Sequence, residues 1–449
     1  RSYSVTGVQT CALPISTGFG SSNLSPSTIP NAKGDPGRLF CFLLGHCHFF
    51  PVSYNRGEIC PRERSFVRTL IVNARLVMAK EIVFMKQLII EDGMIAAVID
   101  EGKTDFCDNV IDGKGMYLTP GFIDIHAHGN SGCDIMDCDP AGLETIATYQ
   151  LQTGVTSFLA TTLTASKVQL RDCVKLVADY VKSQKSDVSE VLGIYVEGPY
   201  FAYAKAGAQP REHLRLPDIG ELEALLAAGD GLIKVVSLAP ELEGSQAAIG
   251  YLKKHRVTVA LGHTTADYRV TKQAITAGAS LATHLFNAMR PFDHREPGIV
   301  GAFLEDDRTM IELIADGVHL HDATIRLAVK AKGADKVILV SDQIRAAGLK
   351  DGTYRLGEDV IAVSQGVARL ADGALAGSTF DLAMALKRMV KELGFGLAEA
   401  IGMVTINPAK AIGVDHILGS VAPGKQADLL LINEDLAIAH VIKKGKLII

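Results

Sequence analysis

The segment Gly121-Phe122-Ile123-Asp124-Ile125-His126-Ala127-His128-Gly129 is an apolar run that ends in two histidines. It predicts a buried β-strand over residues 121–128. Side chains alternate between the two faces of a strand, so His126 and His128 point the same way. One metal ion at the strand end could therefore bind both imidazoles. A second H-x-H sequence, His46 and His48, lies in a segment without a strand pattern and is a weaker candidate.

Strand-like apolar runs alternate with helical patterns through the middle of the chain. This alternation predicts an α/β fold with eight β/α units, a (β/α)8 TIM-like barrel, with a doubly wound open sheet as the alternative. The predicted strands are 121–128, 155–163, 191–196, 233–238, 257–262, 281–285, 310–315 and 336–341. The predicted helices are 141–153, 168–185, 219–228, 246–255, 268–277 and 323–333.

Short strands joined by turns flank this region on both sides. Residues 69–77 and 87–98 read as strands, and Asp92-Gly93 is a strong hairpin-turn dipeptide. Similar strand patterns occupy residues 424–432, 438–443 and 445–449. We therefore predict a small β-sandwich domain built from residues 67–119 and 417–449, with the barrel domain over residues 120–416.

Composition narrows the functional classes. The chain has 449 residues, of which 48% are apolar, and a net charge of −5 with acidic and basic residues interspersed. This balance argues against nucleic acid as a partner. No apolar run reaches the ~20 residues that span a bilayer, and the eight cysteines contain no C-x-x-C pair. We expect reduced thiols, no membrane partner and a cytoplasmic location.

Residues 1–66 differ from the rest of the chain. They are rich in Ser, Pro, Gly and Cys, and they show neither helical nor strand periodicity. Residues 5–15 resemble the translated read-through of a sequencing adapter. We predict that residues 1–66 are an artefactual or disordered extension, and we exclude them from the reasoning on the fold.

Metal-capable side chains recur where the predicted barrel strands end, which is where (β/α)8 enzymes place their chemistry. Four histidines and two carboxylates form a mixed nitrogen and oxygen set that suits one or two divalent ions, zinc or iron(II). Two close ions need a bridging ligand, and Glu197 is the candidate. Other metal hydrolases of this architecture use a carboxylated lysine at the end of the fourth strand, but here Lys234 begins that strand and lies at the wrong end of the barrel. The predicted ligands are His126, His128, Glu197, His263, His284 and Asp342.

This ligand set indicates metal-assisted hydrolysis. A bound metal lowers the pKa of water towards ~7 and polarises a carbonyl oxygen. Asp342 is the predicted catalytic residue: it takes a proton from the attacking water and delivers it to the leaving nitrogen. A purely metal-binding role for Asp342 is the alternative.

From about residue 68 onwards the chain resembles the N-acetylglucosamine-6-phosphate deacetylases of the amidohydrolase superfamily. The H-x-H pair, Glu197 and the later histidines are typical of the superfamily, whereas the segments around Gln209, Asn287 and Arg295 are typical of the deacetylases. The matching motifs are residues 120–129, 197–200, 207–210, 262–264, 284–289, 294–298, 316–319 and 375–378.

The resemblance implies a substrate-binding role for a further set of residues. Asn287, the Ala288 backbone and Arg295 would hold the sugar phosphate, since a guanidinium matches phosphate oxygens. It also implies a homodimer, in which Arg295 reaches across the interface. Ala208, His319, Leu375, Ala376 and Gly377 would line the amino-sugar pocket. From the residues alone, Arg295 could equally pair with Glu296, and His319 could be a buried core histidine.

Some members of the family lack the first two histidines and bind one metal, and some carry histidine where this chain has Gln209. Because the chain keeps His126 and His128, it is expected to group with the potentially binuclear members. The role of Gln209 stays open.

The leading functional hypothesis is metal-dependent deacetylation of N-acetyl-D-glucosamine 6-phosphate to D-glucosamine 6-phosphate and acetate. The alternative is the same reaction on N-acetylgalactosamine 6-phosphate, which differs in the orientation of one hydroxyl. A cyclic amidohydrolase is disfavoured by the missing lysine at the end of the fourth strand and by the Arg295 segment. A non-catalytic barrel is disfavoured because every metal ligand is retained.

Overall fold

The computed structural model describes residues 67–78, 81–103 and 106–449, so residues 1–66, including His46 and His48, lie outside the described part. The described chain opens with a group of short strands. The Asp92-Gly93 turn has positive φ at both residues, 47° and 78°, as a tight hairpin requires. These strands are β1 (Arg68–Val77), β2 (Ile82–Glu91), β3 (Met94–Asp100), β4 (Asn109–Asp112) and β5 (Tyr117–Pro120).

A parallel sheet of eight strands forms the centre of the described chain. Its strands are almost wholly buried because helices cover one face and the barrel interior covers the other. The sheet contains β6 (Phe122–Ala127), β9 (Val155–Thr162), β10 (Glu190–Glu197), β11 (Ile233–Leu238), β12 (Thr258–Leu261), β13 (Ala279–Ala282), β14 (Met310–Leu313) and β15 (Val337–Leu339); β7 (Gly129–Asn130) and β8 (Cys133–Asp134) form a small hairpin after β6.

The barrel closes through the segment that follows β15. The Asp342 N–H donates to the His126 carbonyl at 2.9 Å, and the His128 N–H donates to the Gln343 carbonyl at 2.8 Å. The closing contacts therefore join the residues that end the first and last barrel strands.

Several helices outside the sheet begin at short polar caps. Asp139, Asp218 and Asp267 each accept a backbone N–H from the first turn of the helix that follows. No helix within residues 67–449, where described, is both long and apolar enough to cross a membrane. The helices are α1 (Pro140–Gln152), α2 (Lys167–Val181), α3 (Ile219–Ala228), α4 (Ser245–Lys254), α5 (Tyr268–Ala277), α6 (Gly298–Glu305) and α7 (Asp322–Lys332), with 3-10 turns at Ile135–Asp137, Tyr203–Lys205, Arg211–His213 and Ala334–Lys336.

The last part of the chain adds a separate three-stranded sheet and returns to the N-terminal strands. The strand that starts at Leu429 pairs antiparallel with β5, so both ends of the described chain share one sheet. The remaining elements are β16 (Gly352–Leu356), β17 (Asp359–Ser364), β18 (Val367–Leu370), α8 (Leu382–Lys387), a π-helical turn (Arg388–Glu392), α9 (Leu397–Val404), α10 (Ile406–Ala411), β19 (Leu429–Ile432), β20 (Ile438–Lys443) and β21 (Lys446–Leu447).

The predicted fold class is confirmed: the described chain contains a parallel eight-stranded barrel and a β-domain made from both ends. The sixth strand differs from the prediction, because it occupies Ala279–Ala282 rather than residues 281–285. His284 follows that strand in a turn with φ 30°, a conformation that no strand adopts. The domain boundaries at residues 67, 120 and 417 stay predictions.

A buried ion pair ties the terminal sheet to the barrel. The Lys443 ammonium lies 2.5 Å from Asp428 Oδ2 and 3.1 Å from Glu190 Oε2, at the start of β10. The Lys443 side chain is 1% exposed, whereas Lys444, which lies 3.2 Å from the same Glu190 oxygen, is 41% exposed. Removal of the buried cation would leave the Asp428 carboxylate buried without its partner, which costs far more than loss of a surface pair.

We expect Lys443→Met to lower the free energy of unfolding by about 3 to 5 kcal/mol, whereas Lys444→Met should lower it by less than about 1 kcal/mol. Urea unfolding followed by circular dichroism measures both, since the chain has no tryptophan for fluorescence. Equal losses of unfolding free energy in the two variants would contradict the prediction that the buried ion pair stabilises the fold more than the exposed one.

Candidate metal centre and active site

The Glu197 carboxylate, at the end of β10, lies at the centre of the barrel mouth. Four imidazole nitrogens surround it: those of His126 at 3.5 Å, His128 at 3.3 Å, His263 at 3.4 Å and His284 at 3.1 Å. All five side chains are buried. The structure therefore brings together the five residues that the sequence placed at the ends of four separate strands.

Two of the imidazoles are oriented from behind by hydrogen bonds at Nδ1. His263 Nδ1 lies 2.8 Å from the Lys205 carbonyl oxygen, and His126 Nδ1 lies 3.0 Å from Glu312 Oε2. A carbonyl oxygen can only accept, so His263 donates from Nδ1, and Nε2 is the nitrogen that faces Glu197. Glu312 was not predicted; its only signal in the sequence is a carboxylate within the apolar run of β14.

Asp342 joins this group where the barrel closes. Its Oδ1 lies 3.3 Å from His128 Nε2 and 3.7 Å from His126 Nε2. Burial opposes ionisation, but the hydrogen bond from His128 and the nearby imidazoles outweigh it and lower the pKa of Asp342 below its ordinary value. The carboxylate is therefore ionised and faces the same space as the predicted metal ligands.

The electrostatics of the cluster favour positive charge. Burial alone would lower the pKa of His128, but the Asp342 and Glu197 carboxylates raise it to about 9. Burial would raise the pKa of Glu197, yet the charge of His126 and the surrounding imidazole hydrogen bonds hold it well below its usual range. Two adjacent carboxylates in a buried site thus require a compensating cation.

The donor atoms fit a bound metal. Two groups of three ligand atoms, each within 4.8 Å of one another, share Glu197: one contains His126 and His128, the other His263 and His284. His263 Nε2 and His284 Nε2 face each other at 3.2 Å, and the buried His126 Nε2 has no hydrogen-bond partner among the described residues. Converging nitrogen lone pairs beside a carboxylate are the environment that zinc or iron(II) occupies.

Three residues of the site adopt a strained backbone. His263, His284 and Asp342 have φ values of 47°, 30° and 50°, in the left-handed region that favours glycine. Such conformations cost about 1 to 3 kcal/mol each and cluster at functional sites. Here they turn each side chain into the barrel mouth directly after its strand ends.

Gln209 contacts the central carboxylate. Its Nε2 donates to Glu197 Oε2 at 2.6 Å, while its Oε1 accepts the Thr164 N–H at 2.8 Å. The backbone donor fixes which end of the amide faces Glu197. Gln209 therefore holds the Glu197 carboxylate in place, a contact that the sequence left open.

A cavity of about 320 Å³ opens above this cluster. The predicted residue His319 lines it, and its Nδ1 lies 2.7 Å from Asp316 Oδ2, which fixes the ring. Burial opposes the charged imidazole, but this carboxylate raises the pKa of His319. The other predicted substrate-binding residues that line the cavity are Ala208, Asn287, Ala288, Leu375 and Gly377.

Two predicted substrate-binding residues do not line the cavity. Ala376 is buried behind it, and Arg295 is exposed and outside it within this chain. Arg295 also forms no ion pair with Glu296, whose Oε1 accepts the N–H groups of Tyr268 and Gly298.

Lys205 is a cavity-lining residue that sequence reasoning missed. Its ammonium has no ion-pair or hydrogen-bond partner among the described residues, although its carbonyl accepts from His263. A single lysine among alanines and glycines gives no periodic signal, so only the fold reveals its position.

The sequence profile of the Amidohydrolase family matches residues 117–448. An N-acetylgalactosamine-6-phosphate deacetylase of Escherichia coli O157:H7 is 39% identical over 361 residues, which cover 80% of this chain and 94% of that protein. An N-acetylglucosamine-6-phosphate deacetylase of Vibrio furnissii is 39% identical over 358 residues, which cover 80% of this chain and 89% of that protein.

Among solved structures, a mutant of the N-acetyl-D-glucosamine-6-phosphate deacetylase of Mycobacterium smegmatis, in complex with N-acetyl-D-glucosamine-6-phosphate, superposes with a TM-score of 0.80. It is 33% identical in sequence, and the match covers 86% of this chain and 100% of that one. The similarity thus extends over the barrel, the terminal sheet and the cavity.

Proposed function

Because the chain belongs to the amidohydrolase family, we propose that it hydrolyses the acetamide of N-acetyl-D-glucosamine 6-phosphate, giving D-glucosamine 6-phosphate and acetate in the cytoplasm. The observation that carries this proposal is the buried cluster around Glu197, which faces a cavity together with the ionised Asp342. The sequence similarity to deacetylases of amino-sugar 6-phosphates supports the choice of substrate class.

The ligand set accommodates one or two divalent ions, zinc or iron(II). His263 and His284 with Glu197 would hold one ion, and His126 and His128 with the same carboxylate would hold the second. Asp342 is the further candidate ligand. When bound, the metal activates water and polarises the acetamide carbonyl.

Asp342 acts as the proton carrier in this proposal. Water adds to the carbonyl carbon while Asp342 Oδ1 accepts a proton; the carbon–nitrogen bond then breaks as that proton passes to the departing amine. Gln209 keeps Glu197 in its position throughout, because both ends of its amide are already bonded. Acetate and the free amino sugar leave through the cavity.

The substrate phosphate requires cations at the cavity rim. Lys205 supplies one from this chain, with the Asn287 side chain and the Ala288 backbone as uncharged neighbours. Arg295 does not line the cavity of its own chain, and in the proposed homodimer it lies in the partner's site. Ala208, His319 and the segment 375–377 contact the sugar.

The two epimeric 6-phosphates test the substrate assignment. We expect a higher kcat/KM for N-acetyl-D-glucosamine 6-phosphate than for N-acetyl-D-galactosamine 6-phosphate, measured by acetate release in parallel assays. The opposite order would assign the chain to the galacto epimer, as in the relative from Escherichia coli. No acetate release from either would overturn the proposal.

Replacement of the proton carrier separates chemistry from metal binding. We expect Asp342→Asn to lower kcat by about 10²- to 10⁴-fold, since general acid–base catalysis contributes that much. Metal content, measured by elemental analysis, should stay close to that of the wild type. Wild-type kcat in the variant would contradict the proton-carrying role, and a parallel loss of metal would indicate a ligand role instead.

Removal of the rim cations should affect only phosphorylated substrate. We expect Lys205→Met and Arg295→Met each to lower kcat/KM for the 6-phosphate by about 10- to 100-fold, because a charge-assisted hydrogen bond contributes about 1.5 to 3 kcal/mol. Activity on unphosphorylated N-acetylglucosamine should be unchanged. Lys234→Met, at the opposite end of the barrel, is the matched control. Equal losses on both substrates would exclude phosphate recognition.

A further inference from the structure

Glu312 is a carboxylate buried in the barrel wall behind the metal ligands. It lies in β14 and has no exposed surface. No lysine or arginine forms an ion pair with it in the described part of the chain, and its only charged partner there is His126. A carboxylate so placed is costly unless it is hydrogen-bonded and paired, so its contacts with the metal site account for its presence.

One oxygen of Glu312 contacts both halves of the ligand cluster. Glu312 Oε2 lies 3.0 Å from His126 Nδ1 and accepts the backbone N–H of His284 at 3.1 Å. The Leu285 N–H also donates to the Glu312 carbonyl at 2.9 Å. The turn that carries His284 is therefore fastened to Glu312 by a side-chain bond and a backbone bond, although its own φ of 30° is strained.

The contact between Glu312 and His126 determines which nitrogen of the His126 ring can bind a metal ion. With Nδ1–H donated to a carboxylate, Nε2 is the nitrogen that offers a lone pair, and it faces Glu197 Oε1 at 3.5 Å. A carboxylate behind a histidine also raises the basicity of the ligating nitrogen, and its loss typically costs about 10- to 100-fold in metal affinity. The Tyr195 ring, 4.8 Å from the His126 ring, restricts the imidazole further.

We infer that Glu312 is a positioning residue that fixes His126 in its metal-binding tautomer and makes retention of the second ion depend on it. The inference rests on the metal-dependent deacetylation proposed above. It assigns to Glu312 no contact with substrate. The ion held by His263 and His284 depends less on the Glu312 side chain, because His263 is oriented by the Lys205 carbonyl and the bond from the Leu285 N–H to the Glu312 carbonyl is kept when the side chain is replaced.

Zinc titration of the metal-free protein against a chromophoric chelator tests the inference, with cadmium-113 NMR counting occupied sites. We compare the wild type with Glu312→Leu, which removes the acceptor, and Glu312→Gln, which keeps an acceptor without the charge. Glu221→Gln is the control, since that buried carboxylate lies 2.6 Å from Arg215 and away from the cluster. Circular dichroism before titration establishes that each protein is folded.

We expect two ions in the wild type and in Glu221→Gln. In Glu312→Leu the dissociation constant of the weaker ion should rise by about 10- to 100-fold, with loss of one cadmium resonance, and Glu312→Gln should be intermediate. Unchanged affinities in Glu312→Leu would overturn the inference. If that variant does not fold, wild-type affinity in Glu312→Gln overturns it equally. A wild type that binds no zinc would instead overturn the proposed function as well.

Discussion

The contact between Glu197 and four imidazole nitrogens is the interaction on which the site depends. His126 and His128 stand at the end of β6, whereas His263 follows β12 and His284 follows β13, and the Glu197 carboxylate is the anion that all four share. The barrel makes this convergence geometrically simple, because its parallel strands all end at one mouth. Burial then strengthens every charge interaction by excluding water.

The elements around Glu197 restrict it from several sides. Gln209 fixes one carboxylate oxygen through an amide that is itself oriented by the Thr164 backbone. Asp342 enters the cluster only because the last barrel strand closes against the His126 backbone. Barrel closure and assembly of the site are thus one structural event, and strained turns at three of the site residues persist because this closure holds them.

Much of this architecture could be predicted from the sequence, for specific reasons. Buried parallel strands such as β12 and β15 read as short apolar runs, and caps such as Asp139 and Asp218 mark helix starts. Glu197, His263 and the other cluster members come at or just after the ends of such runs, and this position predicted that they are metal ligands. The match to the amidohydrolase family then supplied the reaction class that the ligand types alone left broad.

Other features depend on tertiary structure and gave little signal. The strands of the sheet β16–β18 are short and mostly exposed, and α6 is apolar on most faces. Neither therefore shows a clear periodicity of hydrophobic residues in the sequence. The left-handed turn at His284 is invisible to patterns of hydrophobicity. Glu312 and Lys205 acquire a place in the site only when the strand and the loop that carry them are seen in space.

The sharing of one sheet by both ends of the described chain has a consequence for biosynthesis. Strand β5 runs directly into β6, which carries His126, but the partner of β5, β19, is translated almost last. One edge of β5 therefore stays unpaired while the barrel is being synthesised. Pairing between strands so far apart in the sequence is slow. The start of β6, which carries His126, is thus anchored to the completed terminal sheet only after nearly the whole chain has been synthesised.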